Sequence, residues 1–398
     1  MKKIQFSALA CLILSAAFLP SALANHRTGS IIAPELLVAG DFNRDGKMDL
    51  AVNCTGFDVI AILFGDGQGG FTLEGHFPVD TLTKGLQAGD VNRDGHLDLV
   101  TATNWGYDET VLLGDGLGSF HVAAPPSEID GDGGPERLLL RDFNNDGRLD
   151  LLVNGPDDDV VLLYFGDGKG NFPGPDIELG VTHPMGMDAG DLNGDGNLDM
   201  AVTSPSLPSG NSTVTILLGD GAGGFTISTF SVNDGPASNM IGDLNNDGIP
   251  DIVVAGALPG NRTGNFISTH LGNGKGQFAL KQNIALGQGN TKGDVALGDF
   301  NEDGKLDVAY PKSGNQIPHE HSRDVLIFFG DGTGNLVTGP VLTVGKEPHT
   351  LVAVDVNHDG HLDLGVTNRT DGTVTVLLGD GHGNFTISST TSVLSAIE

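Results

Sequence analysis

Apolar residues in this chain come in short runs, and segments rich in glycine, aspartate and asparagine separate them. No run has helical spacing over a useful length, and most have the three-to-six-residue length of strands. One stretch shows the pattern in full. Strands are predicted over 86–89, 97–102 and 110–113, and a fourth starts at Phe120. An aspartate-rich loop joins the first two. The turn at Gly114-Asp115-Gly116 joins the last two, and its residues tolerate the positive φ of a tight hairpin.

The same four-strand unit then recurs. The pattern D-x-N-x-D-G-x-x-D begins at Asp41, Asp90, Asp142, Asp191, Asp243, Asp299 and Asp355, with starts between 49 and 56 residues apart. A second pattern, G-[DN]-G-x-G-x-[FL], alternates with it from Gly65, Gly114, Gly166, Gly219, Gly272, Gly330 and Gly379. A four-stranded unit of about fifty residues has the size of a propeller blade. The expected fold is therefore all-β: a seven-bladed β-propeller of four-stranded antiparallel blades, each with an aspartate-rich loop. It forms one domain over 36–398, and no Pro/Ser linker divides it. The aromatic after each glycine turn is expected to pack between neighbouring sheets. The last repeat carries its own fourth strand from Phe385, and the lead segment 25–35 is expected to add an outer strand or help close the ring.

Residues 1–24 read as a secretory signal peptide. Lys2 and Lys3 precede an apolar stretch, and Ala22-Leu23-Ala24 forms a small-residue cleavage site. The stretch is too short for a membrane anchor, and no later segment is apolar enough to span a bilayer. An exported protein is expected, secreted or periplasmic. Cleavage removes Cys11 and leaves Cys54 without a disulfide partner, so stability must come from elsewhere. It also leaves 51 acidic against 18 basic residues, a formal charge of −33, which repels nucleic acid and anionic membranes. Either the surface is simply very soluble, or many carboxylates bind cations.

Their placement favours cations. Calcium takes six to eight oxygen ligands, and an EF-hand loop supplies them from positions 1, 3, 5, 7 and 9, with glycine at position 6. Each repeat has that beginning, with the side-chain ligands Asp41, Asn43, Asp45 and Asp49; Asp90, Asn92, Asp94 and Asp98; Asp142, Asn144, Asp146 and Asp150; Asp191, Asn193, Asp195 and Asp199; Asp243, Asn245, Asp247 and Asp251; Asp299, Asn301, Asp303 and Asp307; Asp355, Asn357, Asp359 and Asp363. Position 7 varies in side chain, as suits a backbone ligand. The EF-hand's glutamate at position 12 is missing, so the aspartate at position 9 is expected to take over its role. Up to seven Ca²⁺ are expected, one per blade. The competing reading is an Asx-turn loop that caps its hairpin with no ion, which would crowd three carboxylates seven times over.

The paired motifs resemble the FG-GAP repeat, also described as the VCBS-type repeat, over the whole mature chain. That repeat builds the seven-bladed head of integrin α subunits, secreted propeller lectins and the propellers of some carbohydrate-active enzymes. The resemblance implies the calcium loops and a recognition or adhesion role. It singles out no functional subfamily.

Strand order puts the aspartate loops and glycine turns on one face. Connections between second and third strands, and between blades, emerge on the other face and differ from blade to blade. Ligand specificity is expected there. Candidate residues are Asn104, Trp105, Tyr107 and Asp108 in the second blade and His319, His321 and Arg323 in the sixth. Trp105, the single tryptophan, could stack on a sugar or seal two blades. His319 and His321 could hold a second metal or lie in a solvated loop. Further variable segments include 128–137, 182–184, 347–349 and 368–371. No nucleophile elbow, zinc-protease or P-loop motif occurs. The G-x-G-x-x-G matches at Gly65 and Gly219 open hairpins, not helices. The leading expectation is extracellular, lectin-like recognition of a carbohydrate or surface protein. A polysaccharide lyase or hydrolase and a structural assembly module are the alternatives. The sequence does not fix the oligomeric state.

Overall fold

The computed structural model describes residues 33–80, 83–103, 109–123, 136–173, 177–205, 212–233, 235–257, 265–287, 293–312, 315–317 and 320–394. These form seven four-stranded antiparallel sheets, each from one contiguous stretch of chain. The first blade comprises Ala33–Gly40, Asp49–Thr55, Val59–Gly65 and Phe71–Pro78. The second comprises Thr83–Gly89, Asp98–Thr103, Glu109–Gly114 and Phe120–Val122. The last comprises Pro348–Val354, Asp363–Asn368, Thr373–Gly379 and Phe385–Ser392. The first strand of each sheet neighbours the first strand of the next, and the first blade meets the last, so the ring closes. The expected seven-bladed propeller is the fold.

The continuous apolar runs have a simple cause: the middle strands are covered on both faces. In the first blade every residue of Asp49–Thr55 is buried. Leu50 and Val52 face the seventh blade, packing with Val374 and Val376. Ala51 faces the second, with Ile60, Leu86 and Leu99. Outermost strands alternate between half-buried and exposed positions, as in Phe278–Gly287. The aromatics after the glycine turns do pack between sheets. Phe120 meets Phe42 of the first blade edge-on at 5.8 Å, and Phe385 meets Phe300 of the sixth at 5.7 Å. Cys54 is buried among the apolar residues, which pushes its thiol up to about 12 and leaves it unreactive.

Three details differ from the sequence pattern. The innermost strand of the first blade begins at Ala33, inside the expected lead segment; residues 26–32 lie outside the described residues. The fourth strand of the third blade is described over Ile177–Gly180, later than the expected start after the glycine turn; Pro173 there offers no amide hydrogen to a ladder. A small hairpin, Asn315–Ile317 with Glu320–His321, is inserted between the second and third strands of the sixth blade. Among the described residues no strand is shared between the first and last blades, and side chains join them. Ser389 Oγ donates to Gly69 O (2.8 Å), Thr391 Oγ1 to Phe71 O (3.1 Å) and His76 Nε2 to Val393 O (2.8 Å).

Candidate functional site

Each aspartate loop is organised by its own carboxylates. In the second blade Asp90 accepts from the amides of Asp94 and Gly95, both at 3.0 Å. Asn92 Oδ1 accepts from Asp94 N (2.9 Å), and Asp94 Oδ1 from His96 N (2.8 Å). Arg93, at position 4, has φ +63° and Gly95 φ +85°, which lets the chain turn inside four residues. These carboxylates are solvent-facing. The ninth-position aspartate is not. Asp98 is fully buried; its Oδ2 accepts from Val91 N (3.0 Å) and its Oδ1 from Gly114 N (2.9 Å). One side chain therefore staples the start of the aspartate loop to the first glycine of the next turn. All seven blades repeat the staple, through Asp49, Asp98, Asp150, Asp199, Asp251, Asp307 and Asp363. Burial raises all seven above the usual carboxylate range, with Asp49, Asp98, Asp150 and Asp307 pushed up to about 6.

The donor chemistry of each loop, three carboxylates and one carboxamide around a positive-φ glycine, fits a hard cation such as Ca²⁺. In the arrangement seen, these oxygens accept hydrogen bonds from the loop's own backbone. Among the described residues no three His, Cys, Asp or Glu side chains stand together as a metal-holding group. Each oxygen of the buried aspartate already has one amide donor and keeps a second lone pair.

The loops also touch each other around the ring. Asn145 Nδ2 donates to Asn197 Oδ1 of the next blade (3.0 Å), Asn246 Nδ2 to Gly304 O (2.9 Å) and His358 Nε2 to Gly46 O (2.8 Å). Glu302 pairs with His361, whose imidazole that bond holds above its ordinary pKa. The motif face is thus an annulus of nearly equivalent, mutually bonded loops.

The opposite end of the central channel is different in kind. Six residues before each loop's first aspartate stand Glu35, Lys84, Glu136, Met185, Ala237, Gly293 and His349, one per blade and with no repeat consensus. All but Gly293 line a cavity of about 270 Å³ at the channel mouth, together with Leu36, Arg137 and Arg369. Below it the channel itself encloses about 330 Å³. Glu35 is nearly buried and accepts from Lys84 Nζ (3.0 Å) and Arg369 Nη2 (2.7 Å), which joins the first, second and seventh blades. Burial alone would raise its pKa, but the two cations and His349 outweigh burial and hold it below the ordinary value. Arg137 of the third blade reaches Asp294 of the sixth, on the far side of the ring, at 2.5 Å. That pair crosses the channel where Gly85, Gly186 and Ser238 leave room. His349 Nδ1 donates to Glu35 O (3.1 Å), and burial pushes its pKa down to about 4.

Of the residues singled out in the sequence, Asn104, Trp105, Tyr107, Asp108 and His319 lie outside the described residues. His321 pairs through its backbone with Asn315 in the added hairpin. Arg323 is exposed, 3.8 Å from Asp371, and is not part of the cavity wall. The variable segments do supply Arg137, His349 and Arg369. Glu35, Lys84 and Asp294 were not singled out. Aligning the seven repeats just upstream of each aspartate loop would have found them, since charge enters there where the repeat has no consensus.

Three segments, 41–101, 142–202 and 243–310, match the model of the FG-GAP-like repeat. No curated protein matches the chain. Among solved structures the chain is similar to one from Kuenenia stuttgartiensis hydrazine synthase, with 14% identity, 88% of this chain and 97% of that one covered, and a TM-score of 0.62. A protein from Lactobacillus plantarum gives 12% identity, coverage of 90% and 96%, and 0.58. A functionally unknown protein from Desulfotomaculum acetoxidans gives 13%, 79% and 90%, and 0.51. At such identities the likeness is one of fold alone.

Proposed function

The chain is an FG-GAP-type repeat propeller, and from that premise we propose that it is an exported, calcium-binding scaffold that recognises a carbohydrate at the face opposite its aspartate loops. The observation that carries the reading is the charged cavity at the channel mouth. Its volume lies at the small end of ligand pockets, and its wall offers several ionised donors and acceptors, which is the chemistry that binds vicinal hydroxyls. The motif face supports this by contrast. Seven near-identical loops bonded into an annulus have little with which to encode one ligand.

Calcium is the scaffold's part of the proposal. The loop oxygens, led by Asp41, Asn43 and Asp45 and their counterparts, would hold it, and the bound ion would neutralise carboxylates that otherwise repel. Export is supported by the leader pattern of residues 1–24. A glycan array on the mature chain, followed by product analysis of the bound polysaccharides, tests the reading. Binding without turnover is the expected result. Cleavage would make the protein an enzyme, and binding only to a cell-surface protein would replace the carbohydrate by a protein partner.

A further inference from the structure

The positive charge on one wall of the channel mouth is not fully compensated. Lys84 and Arg369 come from different blades and share one carboxylate, that of Glu35. His349 beside them is neutral near pH 7, because burial pushes its pKa down to about 4. Arg137 is already matched by Asp294. On the Glu35 wall two cations therefore face one carboxylate, and the cavity's other carboxylate, Glu136, stands on the third blade. Both cations remain reachable, with Lys84 about 30% and Arg369 about 37% exposed. Lys84 has two further N–H donors, and Arg369 has donors beyond the one used on Glu35. Glu136, on the third blade, lines the same cavity and supplies an acceptor.

We propose that this cavity binds a sugar acid, with Lys84 and Arg369 holding the ligand carboxylate and Glu136 accepting from its hydroxyls. The proposal rests on the carbohydrate reading above and narrows it to one ligand class. The cavity's volume suits a single monosaccharide unit. Bonds from fixed cations to a carboxylate are shorter and stronger than neutral ones, so acidic sugars are preferred over their neutral counterparts. The mature chain's formal charge of −33 repels anions at a distance, but salt screens that field within about 8 Å. Recognition is thus a matter of contact, not of steering.

The test is calorimetric titration of the calcium-supplemented mature chain with D-glucuronate, D-galacturonate, D-glucose, D-galactose and acetate. A uronate should bind at least about tenfold more tightly than its neutral sugar and than acetate. Lys84→Gln and Arg369→Gln should each weaken uronate binding by at least about tenfold, while Arg369→Lys, which keeps the charge but loses the planar fork, should weaken it less than Arg369→Gln does. Neutral sugars that bind as well as uronates, unaffected by Lys84→Gln, would overturn the proposal and leave carbohydrate recognition standing. Acetate as tight as uronate would overturn the sugar part. Uronate binding indifferent to all three variants would move the site elsewhere. Absence of uronate binding would overturn the proposal outright, with the glycan array deciding the broader reading separately. Should the glutamine variants fail to fold, the ligand comparison on the parent chain still decides.

Discussion

Aspartates within one loop occupy two environments, and substitution separates them. Asp49→Ala strips the acceptor from the buried amides of Phe42 and Gly65. Two lost bonds to a carboxylate should cost about 2 to 5 kcal/mol even in excess chelator, because the staple needs no ion. Asp45 is solvent-facing, and its Oδ1 accepts only from Lys47 N (3.0 Å). Asp45→Ala should lower stability in calcium and change little in chelator. Denaturant titrations of both variants under both conditions check this, and an equal loss in both would remove Asp45 from the calcium ligands. His349 sets a pH dependence of definite sign. It faces Glu35, Arg369, Arg137 and Asp294 and titrates near 4 in the folded chain, against about 6.5 unfolded. The unfolded state binds more protons between those values. Its stabilising effect is complete above about pH 6.5 and declines as pH falls to 4, by up to about 3 kcal/mol. His349→Gln should flatten the stability curve in that window. His270, lowered to about 4 by burial, acts with the same sign and cancels in the comparison. An unchanged slope would mean that His349 is protonated in the folded state.

At the scale of the element, the glycine turn shows why its motif repeats. A methyl group on Gly219 would press on the carbonyl oxygen of Leu198, and the first glycine of every turn meets the corresponding carbonyl of its own blade. The constraint is close approach of two backbones and has nothing to do with positive φ. Gly221, at φ +70°, has the other reason, and its crowding neighbours are the side-chain ends of Asn197 and Asn145, which can shift. Gly219→Ala should therefore cost about 3 kcal/mol, by overpacking against a backbone that cannot yield, and Gly221→Ala only about 1 kcal/mol. Thermal denaturation should show the larger fall in Tm at Gly219. The reverse order would mean that the hairpin shifts to make room. The staple aspartate and this glycine lie in different motifs and meet through one hydrogen bond, so the two patterns recur together.

For the whole molecule, the described residues hold no shared strand and no disulfide, and the ring's cohesion among them lies in sheet-to-sheet packing and the side-chain bonds that join the first and seventh blades. If each loop holds Ca²⁺ with Kd about 0.1 mM, 1 mM calcium adds about 1.4 kcal/mol per site. Chelation of the mature chain should then lower Tm strongly and cooperatively; an unchanged melting curve would refute structural calcium. The sequence alone determined the blade number, the strand order and the two faces, because short apolar runs and two turn motifs are local and repeat seven times. Each rests on φ preferences and burial that a few neighbouring residues dictate. It also showed which loop oxygens could serve a cation, but not that Asp49 and its equivalents are buried staples. That depends on an amide sixteen residues away in Gly65. The channel mouth was decided only by closure of the ring. Glu35 meets Arg369 across 334 residues, and Arg137 meets Asp294 across 157. No local pattern couples residues at such separations; only the circular packing of the blades brings their charges into one cavity.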